Sequence, residues 1–140
     1  MIIHVLGTGC GKCKTLYEIA RAVSSSLDLE EVLQTVVQQT AAAFSVKGCS
    51  IRLLDAGGHL LRVAAAWGLS DGYLQKGPVD VQQSGIDREA LQGRPVIVLD
   101  APQDPRTQYP EEMEREGICS ILCCPLTVRG RAIGVIRIYS

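Results

Sequence analysis

The sequence predicts an α+β domain: a central, mainly antiparallel sheet with N-terminal helices on one face and short helices and loops on the other. Three observations carry this. The last stretch, GICSILCCPLTVRGRAIGVIRIYS, reads as two apolar strands at 118–128 and 132–139, joined by Arg129-Gly130-Arg131. Its β-branched residues favour strand over helix, and the glycine supplies the positive φ that a tight reversal needs. Two N-terminal stretches carry apolar residues at helical spacing. A turn signal, Ala56-Gly57-Gly58-His59, folds a strand at 49–55 back onto another at 60–67. Strands this apolar need other elements to cover both faces.

In chain order, Ile2-Ile3-His4-Val5-Leu6 predicts a strand stopped by Gly7-Thr8-Gly9. Cys10-Gly11-Lys12-Cys13 follows, then a helix from about Lys14 with Leu16, Ile19, Ala20, Val23 and Leu27 in one stripe. Ser24-Ser25-Ser26 weakens that helix. Asp28, with Glu31 three residues on, has the spacing of a capping box that opens a second helix. This helix places Leu29, Val32, Leu33, Val36, Val37, Thr40, Ala41 and Phe44 on one face, with Glu30, Gln38 and Gln39 towards water. After the hairpin, 68–78 is irregular and glycine-rich, and Val79-Asp80-Val81 is a short edge strand suited by Pro78 before it. Residues 84–91 predict a short helix closed by Gly93, 95–99 a strand, 100–110 a proline-rich loop, and 111–116 an acidic helical turn or two stopped by Gly117.

With 140 residues, the chain is long enough for one domain with a sizeable core. The net charge of −1 without a basic run gives no support to nucleic acid or an anionic membrane as partner. No apolar run approaches the roughly 20 residues of a membrane span, and the opening MIIHVLGTG lacks the basic start of a signal peptide. A cytoplasmic location is expected. The aliphatic core removes the need for disulfide staples, so Cys49, Cys119, Cys123 and Cys124 are expected as reduced thiols, mostly buried.

From about 15 to 140 the chain resembles a GAF domain, the sensory module of many signalling proteins. The phrases that carry the resemblance, in order, are LYEIARAVSSSLDLEEVLQTVV, WGL, GIDREALQGRPVIVLDAPQDPR and EREGICSILCCPLTVRGRAIGVIRIYS. The resemblance implies a sheet of about six antiparallel strands with a pocket on the face carrying the short helices. It also implies a regulatory role through ligand binding or dimerisation, coupled to a fused or partner output domain. Family members usually continue into a C-terminal helix, so residues 15–140 are expected to form a GAF domain lacking that helix, an excised or shortened piece. Residues 1–14 form a separate strand and Cys-x-x-Cys segment, and VLGTGCGKCKTL is similar to the start of small thioredoxin-like proteins. The linkage-cysteine setting of bilin-binding members, the Asn-Lys-Phe-Asp-Glu pattern of cyclic-nucleotide-binding members and the pocket-loop cysteines of methionine sulfoxide reductase members are all absent. No cofactor is therefore named.

Cys10 and Cys13 are the sharpest chemical signal. At a helix N-terminus, with Lys12 and Lys14 beside them, they are candidates for a dithiol/disulfide switch. The alternatives are an idle exposed pair, or a metal site that would need two further ligands besides nearby His4. Cys123 and Cys124, adjacent in a strand, point to opposite faces and cannot share a metal, so apolar packing is the simpler role. In the 68–117 region and its borders, Trp67, Asp100, Arg106, Glu112, Ser120 and Cys124 are the candidate ligand-binding residues. Arg106 would hold an anionic group and Asp100 a ligand donor, unless the two simply order their loop as an ion pair. The stripe of Leu16, Ile19, Val23 and Leu27 is the candidate homodimer contact. Catalysis finds little footing: His4 and His59 lie in a terminal strand and a hairpin tip, and no phosphate loop is present. The expected function is thus a sensor of an unidentified small-molecule effector. A redox switch at Cys10 and Cys13 competes with it, and a pocketless dimerisation scaffold is a third reading.

Overall fold

A computed structural model describes residues 29–140 and the backbone of residues 4 and 5. The elements are β1 (His4–Val5), α1 (Leu29–Phe44), β2 (Gly48–Leu54), β3 (Leu60–Trp67), α2 (Asp71–Leu74), β4 (Val79–Asp80), α3 (Gly85–Leu91), β5 (Val96–Val98), α4 (Pro110–Glu116), β6 (Ile121–Val128) and β7 (Arg131–Tyr139). The sheet runs β1-β6-β7-β2-β3-β4 with every pair antiparallel, and β5 also pairs with β6. Because β7 occupies the other side of β6, β5 and β1 share one edge of it. β5 lies opposite Ile121 to Cys123, and β1 opposite Leu126 and Thr127. The first strand therefore joins this sheet instead of founding a core of its own.

Period-2 alternation sorts the central strands into two faces. Cys49 and Ile51 of β2, Cys124 and Leu126 of β6, and Ile136 and Ile138 of β7 pack under α1. The helix meets them with Val32, Leu33, Val36, Val37 and Ala41, the stripe its spacing predicts. Leu29 departs from that expectation and is exposed, because it stands at the first residue of the helix, beyond the sheet's cover. The opposite face carries Ile121, Cys123, Val135 and Tyr139, covered by Tyr73, Ile86, Ala90 and Met113 from α2, α3 and α4.

One boundary, one element and the burial of one cysteine differ from the sequence expectation. β6 begins at Ile121, since Cys119 and Ser120 turn their amides onto the carbonyl of Ser140. A helical turn, α2, stands in the stretch expected to be irregular, with the Ser70 hydroxyl accepting from the Tyr73 amide as its N-cap. Cys119 is exposed, whereas Cys49, Cys123 and Cys124 are buried as expected. Among the described residues no helix is long and apolar enough to cross a membrane.

Gly134 of β7 sits opposite Leu53 of β2. A Cβ there would collide with the carbonyl oxygen of Arg52 and the Cα of Leu53, both backbone atoms that a rotamer change cannot move. Gly134→Ala should therefore cost about 1–3 kcal/mol through overpacking, read as a lower urea midpoint at unchanged slope.

Candidate functional site

The short-helix face departs from an ordinary core in carrying charge. Ser50 and Arg52 of β2 share it with Arg137 and Tyr139 of β7, because Ser50 stands opposite Arg137 in the register and alternation does the rest. All four are buried. Arg137 forms a two-pronged ion pair with Asp87 of α3: its Nε donates to Oδ1 at 3.0 Å and its NH2 group to Oδ2. Ser84, at the N-cap of α3, donates its hydroxyl to Asp87 Oδ2 at 2.5 Å and does not cap the backbone. The Cys123 thiol completes the cluster 3.6 Å from Oδ1. Burial first, and then the Asp87 charge, push that thiol well above its ordinary value, so it is a structural donor and no nucleophile.

Beside this pair lies an aromatic corner. Ser50 Oγ and the Tyr139 hydroxyl are 3.0 Å apart, and the Tyr73 ring meets Tyr139 edge-on with centroids 5.9 Å apart. The Lys76 ammonium sits 3.8 Å from the centre of the Tyr73 ring and 5.4 Å from that of Tyr109. Tyr109 is fixed by donating to the Pro78 carbonyl at 2.8 Å. Burial, followed by the charges of Arg52 and Arg137, pushes the Lys76 ammonium down to about 7.

Arg52 is the anomaly. It is fully buried, and none of its three guanidinium nitrogens has a hydrogen-bond partner among the described residues. It lines a hollow of about 220 Å³ together with Arg62, Leu74, Gln75, Gly77 and Pro78. A second hollow, of about 200 Å³, is lined by Tyr73, Ser70, Glu112, Arg115 and Glu116 among others.

The six residues expected to bind ligand are not gathered in one cavity. Glu112 lines the hollow beside Tyr73 and lies 3.7 Å from Arg115. Asp100 borders a separate surface hollow with Leu99 and Cys119. Arg106 is occupied by Asp104 and Glu89, each at 2.9 Å, and its side chain packs against Gly85 at the start of α3. The loop-ordering role thus falls to Asp104, not Asp100, and the Arg106 hydrogen bond holds the Asp104 carboxyl below its ordinary range. Trp67 is exposed at the end of β3, and Ser120 bonds its backbone to Ser140. Cys124 points to the α1 face, away from the short helices, because it alternates with Cys123. Cys10, Cys13, Leu16, Ile19, Val23 and Leu27 lie outside the described residues. Arg52, Lys76, Asp87 and Arg137 were missed, although an arginine in the middle of the apolar runs CSIRLL and GVIRIY was a visible signal.

Among the described residues no group of three or more His, Cys, Asp or Glu could hold a metal ion. The donors here are cations and hydroxyls, suited to acceptors in a ligand.

Comparison with known proteins agrees with this architecture. The family model described as the GAF domain matches residues 28–140. The Nif-specific regulatory protein of Herbaspirillum seropedicae is 30% identical over 130 residues, covering 89% of this chain and 23% of that protein. The chain spans less than a quarter of the length of the curated relatives it matches. The GAF domain from a phosphoenolpyruvate-protein phosphotransferase of Coxiella burnetii superposes with a TM-score of 0.76 at 22% identity, over 96% of this chain and 80% of that one. Free methionine-R-sulfoxide reductase from Neisseria meningitidis, solved with its substrate, gives 0.70 at 21% identity, over 92% and 72%. At these identities the two structures speak for the fold alone.

Two outcomes follow from the buried charges. Asp87→Ala strands Arg137 in the core and should cost about 3–5 kcal/mol in urea unfolding, whereas Asp87→Leu combined with Arg137→Met should recover most of that loss. Lys76 gives a pH signature. With a folded value of about 7 against an ordinary 10.5, the unfolded chain holds a proton there that the folded chain has released. Stability should therefore rise with pH from about 7 to about 8.5, above which the buried thiols begin to oppose it. Urea midpoints across that window should climb in the parent and flatten in Lys76→Met.

Proposed function

The chain belongs to the GAF family, and from that membership we propose that it is the sensory, regulatory domain of a signal-transduction protein, binding a small-molecule effector on its short-helix face. The observation that carries the reading is the contrast between the sheet's two faces. Under α1 the packing is aliphatic and thiol-lined. Under the short helices it is hollowed and holds buried charge that the fold does not need for burial of apolar surface. Polar groups kept in such a place support recognition of a ligand. Binding is the role we assign to this face, where the one thiol of the charged cluster is buried and held protonated.

The regulatory relatives, several times longer than this chain, support a fused or partner output domain. We assign self-association to the Leu16, Ile19, Val23 and Leu27 stripe, and a change of occupancy would reach it through the sheet and α1. The buried thiols, none in a disulfide among the described cysteines, support a reducing, cytoplasmic setting.

Native mass spectrometry of the protein purified from its own host reads effector and subunit count together. A dimer mass, with a small adduct released on denaturation, is the expected spectrum. A bare monomer at micromolar concentration would count against both parts.

A further inference from the structure

A fully buried guanidinium without a partner is a costly arrangement. Charge taken out of water is retained only when an opposite charge and hydrogen bonds meet it, and removal of one partner from such a pair is strongly destabilising. Arg137 satisfies that rule through Asp87 and Ser84. Arg52, two residues along β2 from Ser50 and on the same face, does not: its Nε and both terminal nitrogens lack acceptors among the described residues. The nearest additional charges make matters worse. Lys76 is also buried at its nitrogen without an acceptor, and Arg62 stands exposed among the residues lining the same hollow. Asp87 is already engaged by Arg137, and Glu112 lies 3.7 Å from Arg115 and lines a different hollow. Arg52 and Arg62 therefore line one cavity, and no carboxylate stands among the residues that line it.

We propose that this cavity binds a compact anion, through a carboxylate or phosphate group, with Arg52 presenting its planar donor face and Arg62 supplying further positive charge. The inference rests on the reading of the domain as an effector sensor and names the chemistry of that effector. A guanidinium suits this role because its parallel N–H groups match two oxygens of one carboxylate or phosphate. Lys76, held against Tyr73 and Tyr109, does not line the hollow and has no such geometry to offer. Size narrows the class further. The hollow of about 220 Å³ equals roughly seven water molecules at about 30 Å³ each. It also lies below the 300–1,000 Å³ typical of larger-ligand sites. A small acid or a single phosphate group fits that volume. Pro78 and Leu74 add apolar lining beside the charge.

The test is thermal melting of the 140-residue chain at constant ionic strength, with inorganic phosphate in one arm, succinate in a second and neutral succinamide in a third. In the parent, phosphate or succinate should raise the midpoint saturably, on the order of 5–10 °C at a hundredfold excess over Kd. Whichever of the two acts tells phosphate from carboxylate recognition. Succinamide should do nothing. Arg52→Met should abolish the response while melting no lower than the ligand-free parent, because an uncompensated charge has been removed. Arg52→Lys, which keeps the charge but loses the planar face, should weaken binding by roughly tenfold or more. Lys76→Met should weaken it less. The proposal falls if neither anion shifts the parent, if Arg52→Met responds as the parent does, or if succinamide acts equally. A neutral small molecule retained in native mass spectra by parent and Arg52→Met alike would also overturn it, while leaving the sensor reading standing.

Discussion

The pocket face depends on the ion pair between Arg137 and Asp87. The helices that roof it are short, with seven residues in α3 and in α4 and four in α2, well under the length at which a helix persists unaided. Each must be held from outside. Ile86 and Ala90 bring apolar contact to α3, but contact of that kind tolerates sliding. A guanidinium fork closed on one carboxylate does not, and Ser84 ties the same carboxylate to the first turn of the helix. The pair thereby sets where α3 stands over β7. Its desolvation makes it a weak source of net stability, so its value lies in positioning.

The same pair explains why two arginines so alike in sequence differ in state. Both lie in mid-strand, on one face, on neighbouring strands. Arg137 has a helix with a carboxylate above it. Arg52 has the segment from Leu74 to Pro78, which offers an ammonium, a proline and glycine. The sheet therefore presents one neutralised cation and one open one side by side, with Tyr139 and Tyr73 filling the corner behind them. Recognition and architecture are divided between them.

Much of the fold was legible because its elements obey local rules. The α1 stripe follows the helical period, the 60–67 strand returns across a glycine turn, and Gly117 ends α4 in the left-handed conformation that its lack of a side chain allows. What escaped depends on pairing over long separations. Nothing local says that residues 4 and 5 lie against Leu126 and Thr127, and α2 is a single turn too short for any periodicity. The site was harder. Asp100 and Arg106 are charges in a loop and Glu112 one in an acidic surface helix, where charge is ordinary. Arg52 and Arg137 carried the stronger signal, charge within apolar strands, but their meeting follows only from the register that sets Ser50 opposite Arg137. Lys76 sits among glycine and proline and becomes notable only once two tyrosine rings close over it.

The division of the outer edge of β6 between β5 and β1 has a consequence for how copies of this protein meet. An uncovered strand border is a template on which a foreign strand can crystallise. Here the first half is capped by a segment from the middle of the chain and the second by the chain's beginning. The head of the polypeptide thus serves as a selvage, the finished border of a cloth. Removing it would leave the amides and carbonyls of Leu126 and Thr127 bare, ready to recruit the head of another molecule in its place.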